Sequence, residues 1–178
     1  GLDNVRLLQA DIFHLPFRKE AFDHLLICFV LEHLPRPVEA LRMLMPFIKP
    51  GGSITVIEGD HGSAYFHPDS AAVRRAIDCQ VQLQKRAGGN AMIGRELYPL
   101  LRAAGFSEVS VSPRMVYVDS SRPELVEGFT KKTFTAMIEG CLLYTSDDAD
   151  ELLCVILGCR RLLKQQLIQL THPHQRLP

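Results

Sequence analysis

The chain has 178 residues, 47% of them hydrophobic and 22% charged, which fits one soluble globular domain with room for a real core. Twenty basic and 20 acidic side chains cancel to a formal net charge of zero, so no electrostatic pull toward nucleic acid or an anionic membrane is expected. No run reaches the roughly 18 apolar residues of a membrane span, because Glu, His, Arg and Pro interrupt each one.

No signal peptide is visible, and the opening Gly1-Leu2-Asp3-Asn4 lacks an initiator Met, as expected of a fragment or a processed product. The five cysteines (Cys28, Cys79, Cys141, Cys154, Cys159) are odd in number and form no CxxC pair. A disulfide framework or zinc site is therefore not expected, and a reducing cytoplasm is the expected compartment. Cys28 lies in an apolar run and reads as a small buried hydrophobe.

Residues 5–12 form a short β-type run that ends in an acid, Asp11, before His14-Leu15-Pro16-Phe17 breaks it. Residues 22–30 are almost continuously apolar, which predicts a strand buried on both faces of a parallel sheet. Glu32-His33-Leu34-Pro35 ends it. Pro37 suits the first position of a helix, and Val38, Leu41, Met45 and Ile48 follow at helical spacing. Pro46 should distort the last turn, with Gly51-Gly52 as the stop. Residues 53–58 are β-branched and short, hence a second strand. Strand, helix and strand make a βαβ unit with a right-handed crossover expected.

Beyond it, residues 59–68 turn irregular and polar. A helix is predicted over 70–87, capped by Asp69 or Ser70, and another over 94–104, closing at Gly105. Residues 106–112 and 115–118 read as a pair of antiparallel edge strands, and Pro123 opens an amphipathic helix to about Glu139. From Cys141 the character changes. Residues 141–178 resemble translated adapter read-through and form a doubtful tail, the alternative being a genuine helix around 152–170. His172-Pro173-His174 lies there, and no metal is implied.

In open α/β sheets, ligands bind beyond the carboxyl ends of the strands. Three such ends are visible: Asp11-Ile12, Cys28 to His33, and Glu58 to His61. An acid beside a free backbone amide can hydrogen-bond an adenine, the carboxylate accepting from the exocyclic amine while the amide donates to a ring nitrogen. Asp11 and Ile12 offer that arrangement. The same spacing reads equally well as an aspartate capping a turn.

Gln9-Ala10-Asp11-Ile12, Leu15-Pro16-Phe17, Phe22-Asp23, Val30-Leu31-Glu32-His33-Leu34 and Lys49-Pro50-Gly51-Gly52 occur in this order and spacing. Together they resemble the class I S-adenosylmethionine-dependent methyltransferases, specifically the small-molecule group similar to the ubiquinone and menaquinone biosynthesis enzymes. Arg102-Ala103-Ala104-Gly105-Phe106 fits the same pattern, and the likeness covers residues 1 to about 140.

The resemblance implies a partial Rossmann-like α/β sheet with a helical insert, S-adenosylmethionine as cofactor and a small-molecule methyl acceptor as partner. It implies that Asp11 binds the adenine amine, Ile12 its ring through the backbone, and Cys28 and Phe29 the methionine moiety. Glu32 and His33 fall at the mouth between cofactor and acceptor, and Asp60 and His61 at the acceptor side. His61 or His33 can serve as general base, since imidazole titrates near neutrality. The alternative for each is a structural hydrogen bond at a strand end. In-line positioning of methyl group and acceptor can also suffice without a base. Arg95 reads either as an anchor for an anionic substrate or as a solvated helix-face residue.

The family's first two strands and its glycine-rich turn would precede Gly1, which is the departure from the pattern. Residues 1–178 alone are accordingly expected to be poorly soluble and to bind the cofactor weakly or not at all. Two other functions fit an α/β sheet of this kind: a non-catalytic Rossmann-like module, and a nicotinamide-dependent oxidoreductase. The second is disfavoured because no Tyr-x-x-x-Lys pair follows the strand at 53–58.

Overall fold

The computed structural model describes residues 3–133, 135 and 136. In chain order its regular elements are β1 (Phe22–Cys28), α1 (Pro37–Leu44), β2 (Ile48–Ile57), α2 (Ala71–Arg86), α3 (Leu97–Ala104) and the short α4 (Pro123–Leu125). Chain contacts divide it into two compact units, one running up to Asp60 and resuming over Gly88–Val111, the other holding His61–Ala87 and the chain from Ser112 onward. No helix among the described residues is long and apolar enough to cross a membrane.

The first unit is the predicted strand–helix–strand. β1 and β2 pair in parallel, with Leu25 opposite Ile54 and Ile27 opposite Val56. These four side chains share one face, and α1 and α3 close over it through Leu41, Leu44, Leu97, Leu101 and Ala104. Leu31 and Leu41 lose all contact with solvent. Burial of that kind stabilises by roughly 1.5–3 kcal/mol per side chain.

Helix ends follow the sequence closely. Pro37 opens α1, where its missing N–H is not needed, and a 3₁₀ turn at Met45–Phe47 marks the distortion expected of Pro46. Gly105 closes α3 at φ 107°, with Phe106 N–H donating to Leu101 O and Gly105 N–H to Arg102 O. That is a Schellman motif, and it turns Phe106 back onto the core. Arg42 donates to Ala103 O at 2.7 Å, tying α1 to the end of α3.

Four expectations need correction here. The run at 22–30 is not buried on both faces: the strand ends at Cys28, Leu26 is 63% exposed and Cys28 is exposed as well. Among the described residues, helices cover the Leu25–Ile27 face alone, so alternate side chains point outward. Second, Lys49-Pro50-Gly51-Gly52 does not stop the helix; it lies inside β2 as a bulge between the Phe22–Ile48 and His24–Ser53 pairs. Gly51 takes φ 76° there, and a Cβ on Gly52 would stand 2.7 Å from Asp23 O. Lys49 Nζ bonds both Asp23 oxygens at 2.8 and 2.9 Å, pinning the bulge to β1.

Third, residues 5–12 form no strand, because a strand needs a neighbour to ladder with and the described sheet contains β1 and β2 alone. Fourth, 106–112 and 115–118 form no antiparallel pair, and Met115 and Tyr117 remain exposed.

In the second unit, Ser70 caps α2 by accepting from Val73 N–H, and Arg74 pairs with Asp69. The helix predicted from Pro123 starts as α4 and continues as π-helix over Val126–Thr133. The doubtful tail at 141–178 lies outside the described residues.

Candidate functional site

The carboxyl ends of β1 and β2 lie side by side, Cys28 opposite Ile57. Past Cys28 the chain turns sharply. Phe29 adopts φ 53°, a left-handed conformation that costs a non-glycine residue of order 1–3 kcal/mol. Its N–H still donates to Ile57 O at 2.9 Å, and the turn then aims three successive amides at one carboxylate. Val30 N–H and Leu31 N–H donate to Glu58 Oε1 at 3.0 and 2.8 Å, and Glu32 N–H to Oε2 at 3.2 Å. Convergent backbone N–H groups of this sort form an anion nest, and here the anion belongs to the chain itself.

Around this clamp the unit is closed by its second segment. Asn90 N–H donates to Glu32 O at 2.8 Å, and Gly94 N–H to Gly59 O at 2.9 Å. A Cβ on Gly94 would meet Gly59 O at 2.8 Å, so the approach requires glycine. Arg95 then grips Asp60 with two bonds, Nε to Oδ2 at 2.9 Å and Nη2 to Oδ1 at 2.8 Å. Of the two readings of Arg95, the geometry displays the surface one, with a half-exposed side chain whose guanidinium is engaged by Asp60.

Asp11 sits in a tight turn. Its Oδ1 accepts from Phe13 N–H at 2.9 Å, and Oδ2 meets His14 Nδ1 at 3.0 Å. The His14 bond, then the Phe13 amide, hold its carboxyl below the usual carboxylate range. The carboxylate is nonetheless exposed, and four lone-pair directions leave it capacity for a further donor. The turn-capping reading of Asp11 is therefore what the geometry displays. Ile12 is half-buried against the core, and Arg36 stacks 5.0 Å above the Phe13 ring, fastening this turn near the start of α1.

Of the other residues singled out from sequence, Phe29 presents a half-exposed ring, and Cys28 is exposed beside it. Glu32 is buried at 6% exposure, and its Oε1 lies 3.5 Å from Nε2 of the exposed His33. His61 opens a 3₁₀ turn, His61–Ser63, in the second unit. Among the described residues, no group of three or more His, Cys, Asp or Glu is arranged to hold a metal.

Sequence reasoning placed Glu58 at a strand end without giving it a role, and it missed Asn90 and Gly94. Glu58 carried a usable signal, an acid directly after an apolar strand, level with the chain leaving the neighbouring strand. Asn90 and Gly94 gave none, because their role lies in backbone contacts across the unit.

These features define an α/β unit with a parallel pair whose carboxyl ends are locked into one rim. The resemblance to class I methyltransferases is borne out by comparison: residues 1–56 match the methyltransferase domain family. The chain is 44% identical over 75 residues to a ubiquinone/menaquinone biosynthesis C-methyltransferase UbiE of Azotobacter vinelandii, covering 42% of this chain and 27% of that protein. It is 35% identical over 58 residues to a demethylmenaquinone methyltransferase of Staphylococcus epidermidis, covering 33% and 24%. A longer match, 30% over 143 residues, covers 80% of the chain and 41% of an uncharacterized 37.1 kDa protein in transposon TN4556 of Streptomyces fradiae. The chain thus spans about a quarter to two-fifths of the length of these relatives.

Proposed function

We propose that this chain supplies one wall of the cofactor crevice of an S-adenosylmethionine-dependent methyltransferase, and that the whole protein methylates a small-molecule acceptor. One observation carries the reading. The segment that matches methyltransferase domains, residues 1–56, is the segment that builds Asp11-Ile12, β1 and the turn at Phe29–His33.

The residues fit the group. Asp11 is exposed and held ionised at neutral pH, so it can accept from an adenine amine. Ile12 and the Phe29 ring add apolar surface for the adenosine and methionine portions. When bound, S-adenosylmethionine supplies an electrophilic methyl carbon on a sulfonium. Within the first unit, Cys28 and Phe29 border the methionine portion, and Glu32 orients the exposed His33. We assign His33, or alternatively His61, to take the proton released by the acceptor. The cytoplasm is the expected compartment.

Ligand-observed saturation-transfer NMR with S-adenosylmethionine tests this on the full chain, because it detects weak binding. Saturation should reach the adenine protons and fall at least several-fold for Asp11→Ala. Equal transfer to both proteins, or none to either, contradicts the reading.

A further inference from the structure

Glu58 lies outside every role assigned above, yet it holds more of the rim than any ligand-facing candidate. Its two oxygens receive the amides of Val30, Leu31 and Glu32 at 2.8–3.2 Å, three consecutive residues. Those residues connect Phe29, fixed at φ 53°, to His33. Without an acceptor in that place, three amides that converge on one point would lack their partner, and Phe29 would relax toward the negative φ that a side chain prefers. The carboxylate reaches across from the end of β2 to the end of β1, so it also fixes the two rims relative to each other.

We infer that Glu58 is a positioning residue: its carboxylate occupies the amide nest after β1 and thereby aims the Phe29 ring and the His33 imidazole at the cofactor side of the rim. The nest is consequently closed to phosphate or any other outside anion. This inference rests on the methyltransferase reading above. It goes further in naming a residue that touches neither cofactor nor acceptor and still sets the affinity of the site.

The test uses the full chain, with S-adenosylhomocysteine as the probe, in protein-observed NMR combined with amide hydrogen exchange. In Glu58→Gln, one carboxylate oxygen becomes an NH₂ that cannot accept, so at least one of the three amides should exchange ten-fold faster or more. Core amides of Leu41 and Leu101 should keep wild-type protection, which shows that the fold survives. The ligand-induced shifts at residues 28–33 should weaken at least ten-fold in Kd, while Glu58→Asp, which keeps the charge, should recover part of the loss. Wild-type Kd and wild-type exchange in Glu58→Gln overturn the inference. Should Glu58→Gln fail to fold, Glu58→Asp alone decides: its shorter reach must speed exchange of the three amides and raise Kd, and no change in either overturns the proposal. A wild-type chain that does not respond to the probe overturns the methyltransferase reading, and this inference with it.

Discussion

Arg95 and Asp60 form a two-point ion pair that ties the chain just beyond β2 to the turn preceding α3. The pair is half-exposed, so its Coulomb energy is screened, but the planar fork gives it fixed geometry. Arg95→Ala should cost about 1 kcal/mol in urea unfolding. Asp60→Asn should cost a similar amount, and the double variant should cost less than the sum of the two.

Gly94 marks one of the tightest backbone approaches in the first unit. Gly94→Ala places a Cβ 2.8 Å from Gly59 O, and backbone cannot yield as a side-chain tip can. A loss of about 1–3 kcal/mol is expected, read as a lowered urea midpoint. Gly128→Ala is the control. Nothing lies within 4 Å of its added Cβ, so stability should hold or rise slightly.

The bulge in β2 should leave a mark on titration. Lys49, by hydrogen bond first and charge second, holds the exposed Asp23 carboxyl below its ordinary range. A depressed folded value means that the stabilisation is complete above the unfolded pKa and is lost as pH falls through the folded one. Carbon-detected NMR should show Asp23 titrating below an ordinary aspartate, and Lys49→Met should bring it back up. An unchanged midpoint in Lys49→Met excludes the pairing.

Much of the first unit was legible because its cues are local. Pro37, Pro46 and Gly105 each act within a turn of themselves, and the helical spacing of Val38, Leu41 and Met45 needs no partner to be seen. Strand environment was not legible in the same way. The apolar run at 22–30 looks the same whether one face or two is covered, and Leu26 and Cys28 are exposed because helices pack on the other side. Lys49-Pro50-Gly51-Gly52 was read as a helix stop because glycines permit either use, and the choice rests on a long-range pairing, His24 with Ser53.

The candidate site divides along the same line. Asp11 and His33 were visible as chemistry-bearing residues, although Asp11 sits in a turn and ends no strand. The acceptor of the three rim amides was not, since Glu58 finds them 26 to 28 residues back along the chain.

The most direct measurement is a titration of the isotope-labelled chain with S-adenosylhomocysteine, followed at the amides of Asp11, Ile12 and Phe29, with the reduced nicotinamide dinucleotide as comparison ligand. The methyltransferase account predicts saturable shifts confined to residues 11–13 and 28–33 with the first ligand, and none there with the second. Shifts at those amides with the dinucleotide alone, or no response to S-adenosylhomocysteine at millimolar concentration, contradict it.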